Sequence, residues 1–93
     1  MINAQGKSIV ISASAAINAK AGRVLGVMIK AGSDAATVKL LDGGASGIQK
    51  TATLSVAAGA SAHWEFPNGI QCATDIYATI TGTTPEVAVE YED

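Results

Sequence analysis

Turn-forming residues recur in this chain at intervals of about ten, and between them apolar and polar side chains alternate one for one. Together these two periods leave a β-sandwich or barrel as the architecture. The breaks fall at Gly22, Gly32-Ser33-Asp34, Asp42 to Gly47, Ala58-Gly59, Pro67-Asn68-Gly69 and Gly82-Thr83-Thr84-Pro85. Between them Ile9, Ile11 and Ala13 alternate with Ser8, Val10, Ser12 and Ser14, and Ala52, Leu54 and Val56 with Thr51, Thr53 and Ser55. The same period runs through Ala62, Trp64 and Phe66, through Ile76, Ala78 and Ile80, and through Val87, Val89 and Tyr91. Successive strand side chains point to opposite faces, so each set lines a core while its complement faces outward. We therefore expect an all-β fold: one antiparallel β-sandwich or jelly-roll of about seven to eight strands spanning residues 1–93, with 1–21 an N-terminal arm or first strand. Jelly-roll and immunoglobulin-like strand orders both bury alternate residues of two packed sheets, so periodicity leaves them equal.

Two segments break the pattern by being apolar on both faces. In Arg23 to Ala31, Leu25, Val27 and Ile29 point one way and Val24, Gly26 and Met28 the other. In Ala36 to Asp42, Val38 and Leu40 oppose Thr37, Lys39 and Leu41. If Leu25, Val27 and Ile29 form the core face, then Val24, Gly26 and Met28, with Leu41 close by, meet another surface, that of a partner, the alternative being a loop such as the Ala-rich segment before Gly22 folded over them. Gly26 permits close approach there and Met28 adapts its shape to a partner. With Tyr77, the one aromatic left facing outward, the interface candidates are Val24, Gly26, Met28, Leu41 and Tyr77. The Ala-rich stretch Ser12 to Ala21 has helix propensity, but no stripe at i, i+3, i+4 and Gly22 immediately after it; strand is the expectation and helix the alternative.

Composition explains why an outward apolar face matters. Surface scaling gives a chain of 93 residues roughly 5,000 Å² of folded surface and buries about 63% of the unfolded total, a marginal core. Only 15% of residues are charged, while Ala, Gly, Ser and Thr fill nearly half the positions, so small uncharged residues or other protein must cover the exterior. A net charge of −2, with Lys7, Lys20, Arg23, Lys30, Lys39 and Lys50 scattered singly, lacks the basic footprint for nucleic acid. Ser8 to Ile17, the longest apolar candidate, is broken by Ser12 and Ser14 and is far short of a membrane span; it is read as mature protein, despite the cleavage-like Ala13-Ser14-Ala15. The single Cys72 with the single His63 supplies neither an internal disulfide nor four zinc ligands. No metal or cofactor is expected.

The chemical constellations each have a plainer structural reading. His63 and Glu65 share a strand face roughly 7 Å apart, which suits a surface pair beside core Trp64 better than an acid/base pair without a nucleophile. Cys72 reads as a small buried hydrophobe rather than a thiol nucleophile paired with His63. Gly6-Lys7-Ser8 imitates the end of a phosphate loop, but Met1 stands where the motif demands Gly. Asp42 to Gly47 could cradle an anion on backbone amides, or be a turn between two strands; no helix pattern follows, which favours the turn. Tyr77 beside Asp75 and Thr79 is the one candidate platform for a sugar, since Trp64, Phe66 and Tyr91 fall on core faces. The enzyme reading has no support beyond these.

Gly22-Arg23-Val24-Leu25-Gly26-Val27, Ala36 through Gly43, Phe66-Pro67-Asn68-Gly69-Ile70, Tyr77 through Gly82 and Val87-Ala88-Val89-Glu90-Tyr91 together resemble the small virion structural proteins of tailed bacteriophages. The resemblance covers about residues 22–92 and rests on strand order, turn positions and composition. It implies a compact β-sandwich that decorates or cements the head, or joins the neck or tail, as a symmetric oligomer. A homotrimer bound to the major capsid protein or other virion proteins is what it implies for partners, with synthesis in the host cytoplasm and residence in the virion. No catalytic residue is carried over. The alternative from another class is a carbohydrate-binding β-sandwich module centred on Tyr77.

Overall fold

A computed structural model of the chain describes residues 7–92; residues 1–6, with the start of the expected arm and Gly6 of the phosphate-loop imitation, and residue 93 lie outside the described residues. The described residues form nine strands and no helix: β1 (Lys7–Ile11), β2 (Ala15–Asn18), β3 (Gly22–Lys30), β4 (Ala36–Asp42), β5 (Ile48–Gln49), β6 (Leu54–Val56), β7 (Ser61–Cys72), β8 (Ile76–Thr81) and β9 (Glu86–Glu92). The Ala-rich stretch forms β2, the strand expected there, and the strand that the sequence reading did not include is the two-residue β5. At Ala15–Asn18 strand prevails over helix: the segment pairs with β8 and buries Ile17 in the core cluster.

The chain reverses near its midpoint, at the glycine-rich turn after Asp42. Gly43 and Gly44 have φ of 112° and 83°, a region that strongly favours glycine, and the Gly47 N–H donates to the Gly44 carbonyl at 3.0 Å. From that tip the two halves run back antiparallel: β4 against β5 and β6, β3 against β7, β2 against β8, and β1 against β9. The strip then rolls up so that β9 also meets β3 and β8 also meets β4. Two sheets result, β1-β9-β3-β7 and β2-β8-β4-β5, with β6 on the same edge of β4 as β5. Taking β5 and β6 as one interrupted strand, this is the jelly-roll order, the alternative that periodicity alone left open.

The inner faces of both sheets supply the core. Val27, Ile29, Val87 and Val89 from one, and Val38, Leu40, Ile76 and Ala78 from the other, are each 1% exposed or less. Full burial of a branched aliphatic side chain stabilises by about 1.5–3 kcal/mol, so this double row is the main driving force. Ile9, Ile11, Leu54, Val56, Trp64, Phe66, Ile80 and Tyr91 pack around it half-buried, forming a rim. The accessible surface is 4851 Å², close to the scaling expectation.

Two sequence expectations fail at one place. The register of β3 shifts between Val24 and Gly26 against both neighbours: Val24 pairs Tyr91 and Ile70, whereas Gly26 pairs Glu90 and Glu65. Leu25 is thus the extra residue of a β-bulge, and side-chain parity reverses across it. Val24 is consequently fully buried beside Val27, while Leu25 is half-buried and outside the core cluster. On β7, Phe66 to Gly69 stand opposite that single extra residue, so Pro67-Asn68-Gly69 makes an excursion within one strand rather than a turn between two.

Candidate functional site

The surface that stands out is the outer face of the β1-β9-β3-β7 sheet. Ladder registers Val10 with Ala88, Ala88 with Met28, and Met28 with His63 place these four in a row across all four strands. Val10 is 63% exposed and Met28 42%, two of the three large hydrophobics most exposed among the described residues; the third, Ile48, lies on the other sheet. A shallow depression of about 480 Å³ overlies the row, with Lys30 and Glu86 at its border. Lys30 is the ladder partner of Glu86 and Ser61 on one side of the row. On the other side Ser8, Glu90, Gly26 and Glu65 follow in order across the sheet. His63 Nε2 lies 3.9 Å from Glu65 Oε2 with both side chains well exposed, the surface pair the sequence suggested.

Of the residues singled out beforehand, Gly26 and Met28 belong to this face. A Cβ at Gly26 would come within 3.0 Å of Glu90 Oε1 and 3.1 Å of the Trp64 carbonyl, so Gly26 lets neighbouring strands close over a tight spot. Val24 does not belong, because the bulge turns it inward. Leu41 and Tyr77 do not either: consecutive strands β3 and β4 lie in opposite sheets, which places Leu41 on the far side of the molecule from Met28. There Leu41 is 4% exposed, between its ladder partners Gln49 and Tyr77, and the half-buried Tyr77 is flanked by Leu41 and Ala16. Sequence reasoning missed Val10 and Ala88. The signal for Val10 was present, since Ile9-Val10-Ile11 puts an apolar side chain on the parity that Ser8 and Ser12 make polar.

Beyond Leu41 and Tyr77, the outer face of the second sheet carries Thr37 and Thr81, whose hydroxyls are hydrogen-bonded at 2.6 Å, and Thr79 beside Lys39. At its end two carboxylates lock the turns reciprocally. Asp42 accepts from the N–H groups of Ala73 (2.8 Å), Thr74 (2.9 Å) and Asp75 (3.3 Å). Asp75 Oδ1 accepts in return from Gly43 (2.7 Å) and Gly44 (3.1 Å). The glycine segment is thus the turn between two strands that the sequence favoured, and two of its amides are taken up by the chain's own Asp75. The amides bound to Asp42, Ala73 foremost, hold its carboxyl below its ordinary pKa.

The thiol reading does not assemble. Cys72 is fully buried opposite Gly22, at the far end of β7 from His63. Burial, and secondarily the Asp42 charge, pushes its pKa up, away from the thiolate a nucleophile needs. Among the described residues no group of three or more His, Cys, Asp and Glu is placed to hold a metal ion.

Fold and surface together define a small jelly-roll domain with a short apolar row, bordered by charged and polar side chains, on one outer sheet face. Compared with protein-family models, curated proteins and solved structures, the chain gives no match.

Proposed function

We propose that the chain is a non-enzymatic structural protein of a tailed-phage virion, a capsid decoration or cement protein that self-associates and binds the head shell. The observation that carries this reading is the apolar row Val10-Ala88-Met28 across the outer face of one sheet, which brings together two of the three most exposed large hydrophobics among the described residues. Exposed apolar patches of this kind mark protein contacts. The sequence resemblance to small phage virion proteins supplies the context and the trimeric number. Closed symmetry suits the edges as well: among the described residues β1 and β7 are the edge strands of their sheet, and a neighbouring copy can pack beside them.

Two measurements test the proposal. Mass spectrometry of purified virions of the encoding phage should detect the chain at stoichiometric level, and its absence overturns the virion assignment. Light scattering should report a closed oligomer for the wild type and a mass shifted toward monomer for Met28→Lys with an unchanged β circular dichroism spectrum. An unchanged oligomer in that variant removes this face as a necessary contact.

A further inference from the structure

We propose that Asn68 is a self-modification site, converting through a cyclic imide to isoaspartate and aspartate in the folded protein. The dipeptide Asn68-Gly69 lies in the β7 excursion, where the register passes from Glu65 to Ile70 and leaves Phe66 to Gly69 without paired residues on β3. Asn68 is exposed. Gly69 has φ of 72°, and a Cβ there would fall 2.3 Å from Arg23 Cγ and Cδ, so the packing of the Arg23 stem demands glycine at this position. The residue the fold requires is also the one that exposes its neighbour to cyclisation, because a backbone nitrogen followed by no side chain is the least hindered nucleophile a chain offers.

The step needs only water. The Gly69 backbone nitrogen, giving up its proton, attacks Asn68 Cγ; the N–Cγ bond forms as Cγ–Nδ2 breaks, and Nδ2 leaves as ammonia. Hydrolysis of the five-membered imide at Cγ yields aspartate, and at the main-chain carbonyl yields isoaspartate, whose backbone is longer by one methylene. An excursion that already holds four residues against one accommodates that addition. The modified residue adjoins Gly69, which packs against the stem of Arg23, a side chain whose guanidinium pairs with Glu92.

Asn18 is the internal control: its Nδ2 is buried and Ala19 follows it. The native protein, incubated at mildly alkaline pH and mapped by mass spectrometry with isoaspartyl methyltransferase labelling, should convert at Asn68 while Asn18 stays intact. The rate should lie within about tenfold of a free Phe-Pro-Asn-Gly-Ile peptide's, the slowing that a restraint of about 1.4 kcal/mol imposes. Asn68→Gln should abolish the acidic species without altering the circular dichroism spectrum. Conversion slower than that limit, aspartate without isoaspartate, or an acidic species persisting in Asn68→Gln each overturns the proposal.

Discussion

Thr51 shows how one hydroxyl lets an edge strand break without cost to its neighbour. Between β5 and β6 the ladder on β4 is interrupted; Lys50 N–H still donates to the Leu40 carbonyl at 2.8 Å, but the Leu40 N–H turns to Thr51 Oγ1 at 3.1 Å. Thr51 is the buried polar residue of the described chain. Thr51→Val keeps the shape and strands that N–H, so urea unfolding should show a loss of about 1–3 kcal/mol, largely spared in Thr51→Ser. A loss equal in both variants would assign the effect to packing. Asp42 carries a pH signature of known sign. Its folded pKa lies below its unfolded one, so its stabilisation is present above the ordinary value of 3.8 and is lost as pH falls through the folded value. Asp42→Asn should therefore be destabilised against wild type at neutral pH, with the gap narrowing as the solution is acidified below that value; a gap independent of pH contradicts the clamp. Cys72 should resist alkylation until denaturant is added, because its thiol is both buried and raised in pKa.

At the scale of the element, the bulge in β3 decides which side chains count. Val24 is smaller than Leu25, yet truncation should rank them the other way. Val24→Ala empties fully buried volume and should cost about 2 kcal/mol, whereas Leu25→Ala, at a half-buried position outside the core cluster, should cost about 1 kcal/mol or less. Equal costs in chemical denaturation would mean that parity does not reverse at the bulge. The same irregularity, with the excursion in β7 facing it, keeps the outer row in register, since Gly26 and Met28 share the outer parity only beyond the shift. Strong bends of this kind let a sheet curl around a small core.

The whole molecule is a long antiparallel strip folded on itself, so its defining contacts join distant parts of the chain. Lys7 to Ile11 pair with Val87 to Tyr91, and the two termini of the described chain close one sheet. Loop-closure entropy must be paid before such pairs form, which places folding in the range of about milliseconds to seconds typical of β-sandwiches. Stopped-flow refolding should give that range; microsecond folding would be incompatible with late closure of β1 on β9. The apolar row proposed as an association surface is equally a property of the whole, because the row takes one residue from each of four strands.

Local period alone was enough to determine strand as the dominant state, the inner rows through Val27 and Ile29, Val38 and Leu40, and Val87 and Val89, and a turn at the Asp42 glycines. Each of those depends on neighbours one or two positions away, which is what a sequence displays directly. Residue pairing decided the rest. The bulge at Leu25 exists only because Val24 and Gly26 find partners on β7 and β9 out of step, so Val24 could not be told from a surface residue by alternation. Rolling of the strip sent β3 and β4 to opposite sheets, separating Met28 from Leu41 and Tyr77. It also brought Val10, Met28, His63 and Ala88 together from four corners of the chain, a juxtaposition that no local pattern encodes because its cause is the long-range hydrogen bonding of the sheets.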